Sequence, residues 1–562
     1  MRKSTASSLL AVLALALVLR LSPLTRFVYF GSDVGEYFRI SQGLLATGHV
    51  ALPYPGWGVT YPYFPGMFFL VAGTSLGGLE LGGSLDLVVP ALAAVIPALV
   101  FLLGVRILHE DKAGLVAAVL VAVAMPHAFQ TAHAIPATLG EFLVVTALLL
   151  WLRLPRDPRT WALLVPVTGA LVVTHHLSAY FLIVMLLIGV VVRGIIRPTP
   201  ITGIRSQIGY VVFLAAASLA FWFLYATTFR SLLGDVDVEP WWLPLAGFPV
   251  LVGLLGGLVM IRRRSPWRYR PPYPSLRHVA LAYGVALATI YALMSASIVF
   301  GILGTVIRLS PDVLWYFLPF FAFIALCGAG RKHLDFAVGG LESGGWFLAL
   351  ALSAAFGALV APRVIIPYRH AEYMVVLLAL PVGSGFARLL ELGDLGRRRL
   401  ATGALVGFLV VGSALSAFPP TGLIVNYEEG ARPAVLDAAY WAGANVDGLL
   451  ATDHRASTLA FGFGGVDATW DTAALAITAP DFATARAEMC LVDSPSGPRR
   501  VDYVLIDADL ARGVQLSPFS PATPLSPAAE AKFSGVPYLK VYDNGYAQVY
   551  FVNWGLAGVP CP

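Results

Sequence analysis

Long apolar runs separated by short polar segments fill the first three quarters of the chain. Thirteen of these runs suffice to cross roughly 30 Å of hydrocarbon when short or tilted spans are allowed. They lie at residues 8–22, 86–108, 113–126, 138–152, 160–174, 179–194, 207–226, 241–261, 278–299, 312–329, 344–361, 370–390 and 400–418. The pattern predicts an α-helical polytopic membrane protein with about 13 transmembrane helices.

A fourteenth apolar run, at residues 66–78, is shorter than most of the others. It follows a stretch rich in proline and aromatic residues at 61–65. We interpret this run as an interfacial or re-entrant helix rather than a span. Residues 22–85 then form a long first external loop.

The hydrophobic pattern changes after residue 420. Short runs typical of β-strands alternate with helix-like stretches, and a turn signal, Asp543-Asn544-Gly545, joins the last two runs as a hairpin. The runs lie at residues 448–452, 474–478, 501–506, 538–542 and 546–552. We therefore predict a transmembrane domain at 1–420 and a small α/β domain at 425–562.

The composition supports a membrane protein and excludes one class of partner. Hydrophobic residues make up 58% of the 562 residues and charged residues 12%, whereas soluble domains carry about 25% charged residues. The basic excess lies in residues 1–424, which hold 29 Lys and Arg against 17 Asp and Glu, while residues 425–562 hold 8 against 15. Because the bases fall in short loops between apolar runs, where they orient the chain, membrane lipids are expected partners and nucleic acid is not.

The distribution of positive charge decides between thirteen and fourteen spans. Thirteen spans place 21 of the 29 bases of residues 1–424 in the cytoplasm. Counting 66–78 as a span would move 19 of those 21 outside, against the positive-inside rule. We therefore predict a multi-pass protein of the cell membrane with a cytoplasmic N-terminus and an extracytoplasmic C-terminal domain.

The N-terminus and the cysteines bear on processing and compartment. Residues 1–21 carry a basic start and an apolar stretch, but no A-x-A-like cleavage site follows, so we interpret them as an uncleaved first span. Cys490 and Cys561 both lie in the acidic C-terminal part, while Cys327 lies in an apolar run. One disulfide could form if the C-terminal part faces an oxidising compartment.

Two carboxylates open the first external loop. Asp33 and Glu36 are three residues apart and share one face if the segment is helical. A carboxylate at the membrane surface could act as a general base or bind a cation. Asp33 could equally be the cap of an ordinary solvated helix.

The surroundings of Asp33 resemble a known family. An acidic residue after the first span, the stretch 40–48 and the proline-aromatic stretch 61–69 resemble polyprenyl-phosphate-sugar-dependent membrane glycosyltransferases with the C-type (GT-C) fold. Protein O-mannosyltransferases and the lipid A aminoarabinose transferase are members of this family. The resemblance implies that Asp33 is the catalytic base or a substrate-orienting carboxylate, with Glu36 as a second candidate.

Four histidines cluster on the same side of the predicted membrane as Asp33, namely His127, His133, His175 and His176. With a carboxylate they could hold zinc or another divalent ion, donate hydrogen bonds to a phosphate or sugar, or cap helix ends. His127 and His133 are the candidate metal ligands. The resemblance implies a lipid-phosphate contact for His175 and His176.

A departing phosphate calls for arginines, which bind it through two parallel hydrogen bonds. Arg363, Arg369 and His370 open the twelfth span, where ionisable groups are costly unless they face a cavity or a partner. The resemblance implies that Arg369 contacts the carrier phosphate, and Arg308 is a further candidate. An ion pair with Glu372 and snorkelling to the interface are the alternatives for Arg369.

Oligosaccharyltransferases also combine thirteen spans with an external C-terminal domain, which carries a Trp-Trp-Asp-x-Gly signature. Residues 469–472 here read Thr-Trp-Asp-Thr, and the second external loop has no Asp-x-Asp pair. These departures disfavour transfer of a whole oligosaccharide to asparagine. Residues 453–455, Asp-His-Arg, could be an active-site triplet, but their place at a strand end favours a surface turn.

These patterns predict an inverting integral-membrane glycosyltransferase. It would move a single sugar from a polyprenyl-phosphate donor to a glycan, lipid or protein acceptor on the extracytoplasmic face. Asp33 would deprotonate the acceptor while Arg369, Arg308 or Arg363 stabilises the phosphate, with a divalent metal ion as an optional cofactor.

Three alternatives remain open. The first is oligosaccharyltransferase-like transfer of a lipid-linked glycan to protein. The second is a polytopic lipid or solute transporter, although inverted repeats and charges near the bilayer midplane are not evident. The third is a catalytically silent relative that binds the donor without turnover.

Overall fold

The structure of the chain is a computed structural model. It describes residues 3–196, 201–234, 253, 257, 276–295, 300–302, 305–307, 312–328, 341–360, 365–392, 397–420, 423, 427–470, 472–494, 496–516, 522–557 and 561. The descriptions below concern these residues.

Helices dominate residues 1–420, with a few short strands between them. The elements are α1 (Lys3–Leu21), β1 (Tyr29–Phe30), α2 (Val34–Thr47), α3 (Gly66–Leu76), α4 (Leu81–Gly83), α5 (Val89–Ala93), α6 (Ile96–Leu108), α7 (Asp111–Val123), α8 (Met125–Gln130), α9 (Pro136–Trp151), α10 (Trp161–Thr174), α11 (His176–Ile196), α12 (Ile201–Ala220), α13 (Thr227–Gly234), α14 (Leu276–Ser295), β2 (Phe300–Ile302), β3 (Thr305–Ile307), α15 (Asp312–Tyr316), α16 (Leu318–Ala325), α17 (Leu341–Val360), α18 (His370–Leu392) and α19 (Arg397–Leu415). Every predicted span coincides with one or more of these helices except 241–261, which lies almost wholly outside the described residues.

Several of these helices are suited to a bilayer. Five described helical segments are long and apolar enough to cross one: Lys3–Thr25, Leu81–Leu108, His176–Gly194, Ile204–Tyr225 and His370–Ala387. Shorter apolar helices accompany them. The chain is therefore a multi-pass membrane protein, and the count of thirteen crossings stays a prediction.

The centre of the helical part is packed through small residues. Helix α7 lies against α6 and α18, and its Ala113, Ala117 and Ala118 are fully buried. Helices associate closely in a membrane where small side chains let their backbones approach. Larger aliphatic and aromatic residues from α9, α11 and α17 complete this core.

The first external loop carries secondary structure of its own. Helix α2 packs on α3, so the interfacial run 66–78 is helical as predicted. Strand β1 pairs with a two-residue strand β4 (Gly430–Ala431) that follows the last predicted span. This pairing ties the loop to the C-terminal residues.

The C-terminal residues form an α/β layer, here called the C-terminal region (residues 427–561). Its remaining elements are α20 (Pro433–Asn445), β5 (Leu449–Ala451), α21 (His454–Leu459), α22 (Ala474–Thr478), α23 (Phe482–Cys490), β6 (Val501–Asp507), α24 (Pro527–Ala531), β7 (Tyr538–Asp543) and β8 (Ala547–Val552). The sheet order is β5-β6-β8-β7, with β5 and β6 parallel and the other pairs antiparallel. Four of the five predicted strands are present, and the predicted hairpin is β7–β8.

The prediction of a strand at 474–478 is wrong, because these residues form helix α22. Ala and Leu favour a helix, and a five-residue apolar run has no periodicity that distinguishes the two states. The disulfide that the sequence allowed is present and joins Cys490 at the end of α23 to Cys561. It fastens the end of the chain to the C-terminal region.

Candidate active site

Asp33 is held by donors from three separate parts of the chain. Its Oδ1 is 2.7 Å from Nε2 of His454, and its Oδ2 accepts hydrogen bonds from the hydroxyls of Tyr61 at 2.9 Å and Tyr37 at 3.4 Å. Asp33 precedes α2, but within the described structure its side chain makes no capping hydrogen bond. The alternative of an ordinary helix cap is therefore wrong.

The environment keeps the Asp33 carboxyl ionised and reachable. Burial alone would raise its pKa, but the hydrogen bond and charge of His454, together with the two tyrosine hydroxyls, hold the pKa below its usual range. The Asp33 side chain is 24% exposed, whereas that of His454 is 3% exposed. The Asp33 side chain therefore keeps partial access to solvent, whereas its partner is buried.

Glu36 lies one turn along α2 and has a different environment. It is fully buried and accepts hydrogen bonds from the Tyr54 hydroxyl at 2.6 Å and from the backbone N–H of Trp57 at 3.3 Å. Burial raises its pKa to about 7. Glu36 therefore fastens the loop 54–57 onto α2, and the structure does not bring it to the open side of Asp33.

The C-terminal region delivers His454. Strand β5 ends at Ala451, and Asp453 caps α21 by accepting the N–H of Ala456 at 2.9 Å. The backbone N–H of His454 donates to the carbonyl of Gln515, and its ring packs edge-on against Trp470 with 4.0 Å between centroids. The expectation of a surface turn at 453–455 is wrong, because all three residues are buried.

Arg455 joins this turn to the end of strand β6. Its Nη2 donates to Oδ2 of Asp507 at 2.6 Å, at the carboxyl end of β6. Both side chains are buried, and a buried ion pair holds its partners in one geometry when each is also hydrogen-bonded. Arg455 thereby fixes where His454 points.

Helix α2 and the C-terminal region meet closely beside Asp33. The Thr458 hydroxyl donates to the backbone carbonyl of Ser32 at 2.6 Å, and the Trp57 indole N–H donates to the carbonyl of Ala468 at 2.6 Å. A Cβ at Gly35 would lie 1.8 Å from the carbonyl oxygen of Thr458. Glycine at 35 permits this approach, which brings His454 within reach of Asp33.

Arg369 lies in the turn that precedes α18. Its Nη1 donates to Oε1 of Gln130 at 2.7 Å, and its guanidinium is 5.5 Å from the Tyr368 ring centroid. Its charge acts on Tyr37, which contacts Asp33. Among the described residues no salt bridge in direct contact joins Arg369 to Glu372, but the two charges act on each other, so the ion pair stays an alternative. Arg308 and Arg363 lie outside the described residues.

The other predicted phosphate ligands occupy different environments. The Nδ1 of His175 is 2.7 Å from the Ser178 hydroxyl. The His176 ring contacts two phenylalanine rings, with centroids 5.2 Å from Phe64 and 4.5 Å from Phe229. His370 is buried with Nε2 2.9 Å from the Ser353 hydroxyl on α17. The charge of Arg369 acts on His175.

The two candidate metal ligands have separate partners. The Nε2 of His133 contacts the Glu429 carboxylate, while Nδ1 of the fully buried His127 lies 2.7 Å from Nη2 of Arg20. No group of three His, Cys, Asp or Glu side chains suited to a metal ion occurs in the described part of the chain. The described residues do not assemble the predicted metal site.

Sequence reasoning missed several residues around Asp33 and Arg369. Tyr61 belongs to the proline-aromatic stretch, and Gln130 lies in the same turn as the two candidate metal histidines, so position along the chain could have indicated both. Tyr37 follows Asp33 by four residues, one helical turn. Glu429 had no signal beyond its place after the last predicted span.

Comparison with known proteins identifies the fold. No family model and no curated protein matches the sequence. Two solved structures of the oligosaccharyltransferase AglB from Archaeoglobus fulgidus are similar in structure. The one with an inhibitory peptide and a dolichol-phosphate has a TM-score of 0.55 and 15% identity, over 90% of this chain and 69% of that chain. The one with Zn and sulfate has a TM-score of 0.54 and 13% identity, over 97% and 73%.

A third structure is less similar. ArnT from Cupriavidus metallidurans bound to undecaprenyl phosphate covers 98% of this chain and 99% of its own, at 13% identity, but its TM-score of 0.36 supports no argument. The likeness to the archaeal enzyme shows that the chain has the GT-C fold, as the sequence resemblance predicted.

Proposed function

We propose that this protein is a glycosyltransferase that takes a sugar from a polyprenyl-phosphate-linked donor on the extracytoplasmic face of the membrane. The observation that carries the proposal is the Asp33–His454 contact on the GT-C fold. It places an ionised, partly open carboxylate where the first external loop meets the C-terminal region. A carboxylate at this position can accept a proton from an acceptor that approaches from outside the membrane.

Asp33 acts as the base in a single displacement. The acceptor oxygen attacks the anomeric carbon, its proton passes to Asp33, and the bond from that carbon to the phosphate oxygen breaks with its electron pair leaving on the phosphate. One displacement inverts the anomeric centre. The acceptor hydroxyl becomes strongly acidic as its new bond forms, so a carboxylate of low pKa suffices, and His454 and Tyr61 keep it oriented.

Arg369 stabilises the departing phosphate. Its guanidinium is fixed by Gln130 on one side and by the Tyr368 ring on the other, which leaves further N–H groups to donate. Fixed donors aimed at developing charge are the largest single contribution in many enzymes. The charge of Arg369 acts on His175, which is the next candidate, followed by Arg363 and Arg308.

The topology proposed for this reaction agrees with two observations. The excess of basic residues in the predicted cytoplasmic loops places Asp33 and the C-terminal region outside. The Cys490–Cys561 disulfide is typical of an oxidising, extracytoplasmic compartment. The lipid tail of the donor would stay between the spans while its headgroup lies under the first external loop.

We propose transfer of a single sugar, and transfer of a whole glycan to protein is the second candidate. The structural similarity to an archaeal oligosaccharyltransferase favours the second candidate. The Thr-Trp-Asp-Thr sequence at 469–472 and the separate partners of His127 and His133 favour the first. Structures of the archaeal enzyme contain a dolichol-phosphate and an acceptor peptide, so a lipid-linked glycan and a peptide are the substrates that test the second candidate.

The test is turnover by the purified protein with a panel of polyprenyl-phosphate monosaccharides, and with a lipid-linked oligosaccharide plus an Asn-x-Thr peptide. Asp33→Asn is expected to lose activity by about 10²-fold or more, while Arg369→Ala is expected to lose about 10²-fold through the phosphate. The matched controls are the exposed residues Asp437 and Arg39, as Asp437→Asn and Arg39→Ala. Turnover in the presence of a chelator tests whether the reaction needs a divalent metal ion.

Full activity of Asp33→Asn would overturn the assignment of the base. Glycopeptide formation with no single-sugar transfer would establish the second candidate instead. Failure of the wild type to consume or bind any donor would favour the transporter alternative.

A further inference from the structure

The cytoplasmic end of the helical part, as the charge pattern orients it, contains a basic cavity that the glycosyl transfer does not use. It has a volume of about 300 Å³ and lies where α6 and α9 end. Arg106, Arg153, Arg156 and His109 line it together with apolar residues. We propose that this cavity binds the phosphate group of an anionic membrane lipid. The proposal is independent of the proposed function.

The arginines converge without an acidic partner. Arg153 and Arg156 lie close enough for their charges to act unfavourably on Arg106. No ion pair to a carboxylate is found for these three among the residues that the structure describes, and the neighbouring Asp157 instead accepts the backbone N–H of Arg159 at 3.1 Å. Three guanidinium groups with no carboxylate partner among the described residues surround one cavity, which an anion would stabilise, and Arg matches phosphate geometry.

Backbone contacts and backbone conformation position Arg106 and His109 at the cavity. Arg106 donates from Nη2 to the carbonyl oxygen of Leu152 at 3.0 Å, which joins the ends of α6 and α9. His109 ends α6 in the left-handed conformation, with φ of 59°, which is uncommon for a residue other than glycine. The turn therefore brings His109 to the cavity that Arg106 lines.

The apolar side of the cavity indicates a lipid rather than a soluble ligand. Leu102 and Leu149 contribute to the lining, and Leu102 is 44% exposed on a helix long enough to cross a bilayer. Bases and exposed apolar surface meet here at the predicted cytoplasmic boundary. Basic pockets between transmembrane helices on this side bind anionic headgroups, with the acyl chain along the apolar surface.

The test uses the full-length protein, stripped of lipid in neutral detergent and then exposed to phosphatidylglycerol or phosphatidylcholine. Native mass spectrometry measures the bound lipid. The wild type is expected to retain phosphatidylglycerol at least about tenfold better than Arg153→Gln/Arg156→Gln, because two charge-assisted phosphate contacts are lost. The control Arg159→Gln removes an exposed arginine of the same loop that does not line the cavity, and it should bind as the wild type does.

A second variant covers the case in which loss of charge disturbs insertion. Arg153→Lys/Arg156→Lys keeps both charges and should retain an intermediate amount of phosphatidylglycerol, since Lys lacks the paired donors of Arg. Equal retention by the wild type and the variants would overturn the proposal. Competition by millimolar inorganic phosphate with no preference for phosphatidylglycerol over phosphatidylcholine would assign the site to free phosphate and overturn its assignment to a lipid.

Discussion

At the scale of single residues, the chemistry depends on how three donors set the charge of Asp33. Tyr37 is on α2, which directly follows Asp33, Tyr61 is 28 residues away, and His454 is 421 residues away. Each donor stabilises the ionised carboxylate, and His454 also adds charge when it is protonated. The environment of the proposed base thus depends on tertiary contacts around Asp33, the one residue of the group that the sequence identifies.

His454→Ala should lower turnover by about 10- to 100-fold because the carboxylate loses its orientation. His454 depresses the pKa of Asp33, so its removal raises that pKa and moves the acidic limb of the pH–activity profile toward higher pH. His454→Gln can still donate to Asp33 and should recover part of the turnover. The measurement is kcat against pH with a polyprenyl-phosphate sugar.

Histidine 49 provides the control for that experiment. It is exposed on the same external loop and its ring contacts only the nearby carbonyl of Thr47 among the described contacts. His49→Ala should leave both turnover and the pH profile unchanged. A His454→Ala enzyme with an unshifted acidic limb would contradict the role assigned to His454.

Glu36 should make the stability of the protein depend on pH. Burial raises its pKa to about 7, above the unfolded value near 4.3, so the native state holds the proton more tightly than the unfolded state does. Stability from this group is complete below about pH 4 and falls by up to about 3 kcal/mol as pH rises to 7. Glu36→Gln should therefore gain stability relative to the wild type at pH 8 but not at pH 4.

Thermal unfolding of both proteins at the two pH values measures this difference. Glu80→Gln changes an exposed acid on the same external loop and should follow the wild type at both pH values. A difference between Glu36→Gln and wild type that is the same at pH 4 and pH 8 would show that the pKa of Glu36 is not raised in the native state.

The sequence could predict part of the site for a physical reason. Asp33 and Arg369 follow or precede long apolar spans, and polar residues at such positions are costly without a function. His454 could not be predicted, because the contact depends on how the C-terminal region packs on α2. A turn after a strand has the same local sequence whether it faces solvent or Asp33.

At the scale of elements, α2 is the joint between the first external loop and the C-terminal region. Gly35→Ala places a methyl group 1.8 Å from the Thr458 carbonyl oxygen, so the helices must separate. Overpacking of this kind costs about 1–3 kcal/mol and would draw His454 away from Asp33. We expect a lower melting temperature and a loss of turnover together.

Gly43 lies on the same helix with no atom within 4 Å of a Cβ placed there. Gly43→Ala should raise stability by about 0.5–1 kcal/mol, because alanine favours the helix, and should leave turnover unchanged. The melting temperature and kcat of Gly35→Ala and Gly43→Ala test whether the close contact between α2 and the C-terminal region is needed. Wild-type turnover by Gly35→Ala would show that the contact between α2 and α21 is not needed.

Elements were predicted best where their patterns are long. The transmembrane helices follow from apolar runs of about 15 residues or more, and β7–β8 follows from the turn residues between two alternating runs. The five residues of α22 are too few to show a hydrophobic period, so contacts with neighbouring elements decide whether they form a helix or a strand. Strands β1 and β4 have two residues each and exist only because distant segments meet.

At the scale of the whole molecule, the proposed topology puts Asp33 and the C-terminal region on one side of the membrane, as their contact requires. This arrangement requires the run at 66–78 to stay on that side, since one more span would invert everything that follows. The helix α3 that the run forms has 11 residues, about 16 Å, which is short for a bilayer crossing.

Single-cysteine labelling of intact cells decides the topology. In a Cys327→Ser background that retains the disulfide, Ser496→Cys lies on an exposed turn of the C-terminal region and Arg159→Cys lies on the exposed loop between α9 and α10. An impermeant maleimide should label Ser496→Cys directly and Arg159→Cys only after the membrane is permeabilised. The reverse pattern would overturn the proposed topology in one of two ways: the whole chain is inverted, or 66–78 crosses the bilayer, which would place Asp33 and His454 on opposite sides of the membrane. A cysteine in place of the exposed Arg39, which precedes 66–78, separates these two cases: if Arg39→Cys and Ser496→Cys are labelled from opposite sides, the 2.7 Å contact is impossible and the proposed catalytic pair fails.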